Sequence, residues 1–172
     1  ITCKSVGGFE LDLRYFEHDK RNITLEWAGG RPIFDTLFSA QLEELLGPKR
    51  SIGDDLTKRH FDIAHSTQKA YEIVLFQLLK NLHSVHPSDN LTLAGGCAMN
   101  SVANGKISLN TPFKNIYVQA AAGDAGGAIG AALIAIMKQK PDLRKADLEH
   151  HSHAYWGPEF QNETIQKIID EF

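Results

Sequence analysis

The chain has 172 residues, a length that suits one medium domain or one lobe of a larger protein and is enough to bury a real core. Hydrophobic residues make up 42% and charged residues 23%, the composition of a globular protein in water, and a net charge of -3 excludes the basic field that draws in nucleic acid. Cys3 and Cys97 are the only cysteines and form no CxxC, which excludes a disulfide scaffold and makes a reduced cytosol the expected compartment. The opening ITCKSVGG has neither the basic start nor the apolar run of a signal peptide. AIGAALIAIM, residues 128–137, is the most apolar stretch and falls short of the roughly 20 residues a membrane span requires. The chain begins without Met and in mid-pattern, so a piece of a longer protein is expected.

In chain order, FELDLRY (9–15) alternates: Phe9, Leu11, Leu13 and Tyr15 point one way, and Glu10, Asp12 and Arg14 the other. That predicts a half-buried strand, with NITLEW after the HDKRN turn as its hairpin partner. FDTLFSAQLEELL (34–46) changes to a helical period, with Phe34, Leu37, Phe38, Leu42, Leu45 and Leu46 on one face and Gly47-Pro48 as the stop. STQKAYEIVLFQLLKNL (66–82) predicts a longer helix capped by Ser66 or Thr67, burying Tyr71, Val74, Leu75, Leu78 and Leu82.

A compact alternation follows. LTLA (91–94) is a buried strand, GGCAMNSVANGK a glycine turn with a short helix, and NIYVQA (115–120) a second strand. AAGDAGGAIGAALIAIMKQK is a second glycine turn feeding a long helix that ends before Pro141. Two strand-to-helix units in series predict an α/β fold with a parallel pair at its centre, and ligands in such folds sit at the carboxyl ends of the strands, where both glycine turns lie. The polar tail from Pro141 onward reads as a connector, with NETIQKIIDEF as the start of a further helix.

Glycine removes the Cβ, so Gly95-Gly96 lets a ligand approach bare backbone, and the helix after it aims free N–H groups there. A phosphate or ribose suits that place, with Asn100 offering an amide and Ala98 and Met99 apolar contact; a tight turn that binds nothing is the alternative. Asp124 opens the long helix either as an N-cap or as a metal or water ligand at the same cleft, and helix starts favour a carboxylate in both cases. Gly126, Gly127 and Gly130 each cost about 1 kcal/mol relative to alanine inside a helix, which points to close packing or close ligand approach. The eight histidines offer no helical metal pair, because no two are four residues apart. His60 and His65, His83 and His86, and the cluster of His150, His151 and His153 read as surface or capping residues. No nucleophile and base pair off, and nothing like GxSxG is present.

The order of these motifs resembles the NodU/CmcH-type O-carbamoyltransferases. L-x-G-G-x-A-x-N-x-x-x-N-G-x-I runs from Leu93 to Ile107, and Q-x-x-x-G-D-x-G-x-A-x-G-A-A from Gln119 to Ala132, with every fixed position matched. F-x-L-x-x-x-Y-F at Phe9 to Phe16, G-P-x-R at Gly47 to Arg50, D-I-A-x-x-x-Q at Asp62 to Gln68 and the closing AYWGPEF extend the likeness over nearly the whole chain.

The resemblance implies a ribonuclease-H-like lobe of the actin-like, Kae1-type ATPase fold. Residues 1–145 would be the second lobe of that domain, and 146–172 a connector towards a YrdC-like carboxyl-terminal domain. The YrdC-like part would make carbamoyl-adenylate from carbamoyl phosphate and ATP, and the Kae1-like part would pass the carbamoyl group to a hydroxyl of a small acceptor. Gly95, Gly96, Asn100 and Gly123 then match the adenylate-binding turns. Asp124 matches a carboxylate ligand of a divalent, iron-type metal, whose paired histidines belong to the first lobe. Neither nucleic acid nor membrane is an expected partner, and the chain alone is expected to be inactive. A threonylcarbamoyl transferase lobe acting on tRNA and a non-catalytic nucleotide-binding lobe are the rival readings; the -3 charge argues against the first.

Overall fold

The computed structural model describes residues 1–4, 8–142 and 157–171. They fall into two units, Ile1–Ser88 with Leu109–Pro112, and Asp89–Ser108 with Phe113–Phe172. The described residues form three two-stranded sheets and six α-helices, a mixed α/β chain. None of these helices is long and apolar enough to cross a membrane.

In the first unit, β1 (Thr2–Lys4) pairs antiparallel with β2 (Gly8–Glu10). The alternation over 9–15 therefore does not make one strand. The chain turns into a 3-10 segment at Leu13–Tyr15, because the Asp12 carboxylate accepts from the Arg14 backbone N–H at 3.2 Å. Such local side-chain bonding competes with a ladder. The predicted hairpin partner pairs elsewhere: β3 (Leu25–Ala28) lies against β4 (Arg31–Phe34), with Leu25 opposite Phe34. Phe34 thus ends a strand, and helix α1 is confined to Ala40–Leu46.

Gly47 ends α1 as expected, at φ 89°, its N–H donating to Glu43 O at 2.8 Å. Helix α2 (Lys58–Val85) starts a full two turns before Ser66, behind Thr57, whose N–H donates to His60 Nδ1 at 2.9 Å. Of the predicted stripe, Tyr71, Val74, Leu75 and Leu78 are half-buried and Leu82 is exposed. The buried residues of α2 are Leu79 and Glu72, and Glu72 accepts from Gln68 Nε2 at 3.0 Å.

The second unit follows the predicted alternation. β5 (Asn90–Leu93) runs parallel to β6 (Asn115–Val118), with Leu91 beside Ile116 and Leu93 beside Val118. A parallel pair needs a crossover rather than a hairpin. Here it carries a 3-10 turn at Gly96–Met99, then α3 (Ser101–Asn104) and α4 (Ile107–Asn110). Leu91, Ala98, Ala103, Ile107, Phe113 and Ala122 are its buried residues. After β6 the chain turns at 119–124 and enters α5 (Ala125–Gln139), which stops before Pro141. No residue of α5 is buried, although its sequence is strongly apolar. The 145/146 boundary and the histidine cluster lie outside the described residues. Within the tail, α6 spans Asn162–Asp170.

Candidate functional site

Because β5 and β6 run parallel, their carboxyl ends lie together, and both glycine bends leave from that end. The bends are bonded to each other. The Gly95 N–H donates to Ala122 O at 2.7 Å. Gly95 sits at φ 98°, a conformation that side-chain-bearing residues rarely adopt. A Cβ at Gly95 or Gly96 would meet nothing within 4 Å, so the backbone there faces open space. Among the described residues, the Gly96 N–H has no hydrogen-bond partner.

Gly123 belongs to the same junction. A Cβ on it would stand 3.0 Å from Met99 Sδ, so the methionine of the first bend lies over the glycine of the second. Gly126 is needed by packing alone, because a Cβ would run into the Ala121 carbonyl oxygen. Gly127 and Gly130 face open space.

Asp124 adjoins Gly123 and is exposed. Its backbone is already helical, at φ -58° and ψ -33°, and its side chain makes no cap hydrogen bond. A cap residue needs extended backbone to curl its side chain back on the helix N–H groups. The N-cap alternative therefore lacks its bond, and the carboxylate is open at the bend. Among the described residues no group of three histidine, cysteine or acidic side chains is arranged to hold a metal ion. Asp124 would fit a metal only as a single oxygen ligand.

Asn100 behaves differently from its neighbours. Its Oδ1 accepts from the Ala103 N–H at 3.0 Å, capping α3, so the amide oxygen is committed to the fold. Two side chains that sequence reasoning did not single out also touch the bends. Asn104 Nδ2 donates to Ala98 O at 2.7 Å, and Gln119 Oε1 accepts from the Ala121 N–H at 2.6 Å. Both occupy fixed positions of the two motifs, which was the available signal. Among the described residues the histidines build no metal site, and His60 serves the start of α2.

A family model described as Carbamoyltransferase N-terminus matches residues 17–133, an interval that contains both bends. The chain belongs to the NodU/CmcH-type carbamoyltransferase family. An uncharacterised protein of Synechocystis is 40% identical over 98% of this chain and 26% of its own length. The nodulation protein NolO of Bradyrhizobium diazoefficiens is 36% identical over 84% of this chain and 25% of its own length. The nodulation protein NolNO of Sinorhizobium fredii is 37% identical over 70% of this chain and 18% of its own length. The chain thus spans about a quarter or less of these curated relatives.

Proposed function

We propose that this chain is the nucleotide-holding lobe of an O-carbamoyltransferase, which moves a carbamoyl group from carbamoyl-adenylate to a hydroxyl of a small acceptor. The observation that carries the reading is the hydrogen bond from Gly95 to Ala122, which puts two side-chain-poor bends and an uncommitted acid side by side. In this reading AMP lies on the bare backbone of Gly95-Gly96 and beside Gly123. The open Gly96 N–H donates to the phosphate, stabilising charge on the departing AMP. Gly123 keeps the second bend low enough for Met99 to cover the junction.

Asp124 would supply one ligand to a divalent, iron-type metal, with the remaining ligands in the part of the protein outside this chain. Such a metal, when bound, polarises the carbamoyl carbonyl or lowers the acceptor hydroxyl's pKa. The lobe belongs to the Kae1-like, actin-like ATPase fold in this reading. It works in the cytoplasm and packs against a first lobe and a YrdC-like domain that makes the adenylate.

The test uses the full-length protein with carbamoyl phosphate, ATP and a panel of small hydroxylated acceptors. Transfer to one of them that disappears in Asp124→Ala, with circular dichroism unchanged, supports the proposal. A carbamoylated product found only when tRNA is supplied moves the protein to the threonylcarbamoyl class. Cys97, exposed at the first bend, gives a second readout, with exposed Cys3 as the internal control. AMP should slow alkylation of Cys97 and leave Cys3 unaffected; equal rates at both with and without AMP would remove nucleotide from this place.

A further inference from the structure

We infer that Asn104 and Gln119 are positioning residues that hold the two glycine bends in register for the nucleotide. This rests on the nucleotide reading of the bends. Glycine-rich backbone loses more conformational freedom on ordering than any other, so a bend like Gly95-Gly96 needs an outside clamp to keep one shape. Each bend has one, and the two are linked. Asn104 Nδ2 donates to Ala98 O at 2.7 Å, and the Ala98 N–H donates to Gly95 O at 3.0 Å. The Gly95 N–H reaches Ala122 O at 2.7 Å, and the Ala121 N–H in the same turn donates to Gln119 Oε1 at 2.6 Å. Hydrogen bonds and adjoining peptides thus run from one amide side chain, through both bends, to the other.

The two amides work with opposite ends. Asn104 donates to a carbonyl and Gln119 accepts from an N–H, and neither can be turned round without setting like against like. Asn104 Oδ1 is buried and has no partner among the described residues, so the bond to Ala98 selects the orientation of that amide. Gln119 Oε1 also stands 3.2 Å from the place a Cβ of Gly126 would take, so the amide lies close beside the first turn of α5. Both residues act on the ligand through backbone, and displacements well below the length of a bond cost affinity when hydrogen bonds must meet a phosphate.

The opposite polarity gives the test. In the full-length protein the AMP concentration that half-protects Cys97 from alkylation is measured for Asn104→Asp, Gln119→Met, Gln119→Glu and Gly96→Val. Asn104→Asp keeps the shape and removes the donor. Gln119→Met removes the acceptor, and Gln119→Glu keeps it. The half-protecting concentration should rise about tenfold in Asn104→Asp and Gln119→Met, the size of one lost hydrogen bond, and stay within about threefold of wild type in Gln119→Glu.

Circular dichroism confirms the fold of each variant, and if Asn104→Asp does not fold, the Met and Glu pair at position 119 decides alone. Equal behaviour of Gln119→Met and Gln119→Glu overturns the proposal. So does a shift in Gly96→Val that Asn104→Asp and Gln119→Met lack, an outcome that leaves the nucleotide reading standing. Absence of AMP protection in the wild-type protein removes both.

Discussion

Gly95 donates its backbone N–H to the carbonyl oxygen of Ala122 at 2.7 Å, across a gap of 27 positions in the chain. Neither residue contributes a functional group of its own. The bond matters because it joins the turn after β5 to the turn after β6, and so brings Gly96, Met99, Gly123 and Asp124 into one neighbourhood. A parallel pair places its two carboxyl ends together but leaves the following loops free to diverge. Here a main-chain bond holds them side by side.

The glycines of the second bend have unequal jobs. Gly126→Ala sets a methyl against the Ala121 carbonyl oxygen, a backbone atom that cannot swing away. It should destabilise the protein by about 1–3 kcal/mol, as overpacking does. Gly130→Ala meets nothing within 4 Å and lies inside α5, so it should stabilise by about 0.5–1 kcal/mol through helix propensity. Urea unfolding of both variants checks the opposite signs; a destabilised Gly130→Ala would show that α5 is covered at that face.

Arg59 is a structural arginine. Its guanidinium donates to Leu46 O at 2.6 Å and to Pro48 O at 2.9 Å, satisfying carbonyls where α1 ends. Arg59→Leu should cost about 1–3 kcal/mol, the range for lost bonds from a charged donor. Gly47→Ala attacks the same junction from the other side, because Gly47 is at φ 89° and a Cβ would stand 2.6 Å from the Arg59 guanidinium. The two substitutions share a partner, so the double variant should cost less than the sum of the singles. Thermal unfolding of the three proteins measures that coupling.

The second unit was legible in the sequence because its signals are local. Apolar runs such as LTL and NIYV lead into glycine turns, and both strands and α5 emerge close to their predicted places, while the second short helix of the crossover, α4, was not foreseen. The first unit was less legible. Phe34 fits a helical stripe and a strand equally well, and cross-strand pairing with Leu25 decided for the strand. The start of α2 was hidden because RHFDIAH has little apolar periodicity, and the partner of its cap Thr57 three residues on is His60, where a glutamate or glutamine is usual. Gly95, Gly96, Gly123 and Asp124 were singled out from the glycine turns and motif spacing, and the structure brings those two turns together. The clamps Asn104 and Gln119 were passed over because their value lies in which backbone atoms they meet, and spacing does not reveal that.

Acid should loosen the turn at Leu13–Tyr15 over a defined window. The guanidinium of Arg14, donating to both carboxylate oxygens of Asp12, lowers that carboxyl from 3.8 to about 2. A carboxyl depressed by folding contributes stability that is present above the unfolded value and lost as pH falls through the folded one. The contribution should therefore be intact above about pH 4 and gone near pH 2. The pair is exposed, so salt should weaken it. A carbon-13 titration of Asp12 reads the midpoint, which should return to the ordinary carboxylate range in Arg14→Gln.

Asp124 separates chemistry from structure more sharply than any other position. An acid that caps α5 would cost about 1 kcal/mol when replaced by alanine. Asp124 makes no cap bond, so Asp124→Ala should lose only the dipole contribution, about 0.5 kcal/mol for an exposed acid at a helix start. Carbamoyl transfer by the full-length protein should nevertheless fall by at least about a hundredfold if the carboxylate holds the metal that activates the reacting group, in the way loss of a transition-state stabiliser does. The isolated 172-residue chain should show no turnover, because its described residues hold no group of ligands arranged for a metal ion. Unfolding and turnover measured side by side make the comparison. A stability loss near 1 kcal/mol with transfer retained would make Asp124 a cap after all, since only a cap predicts that combination.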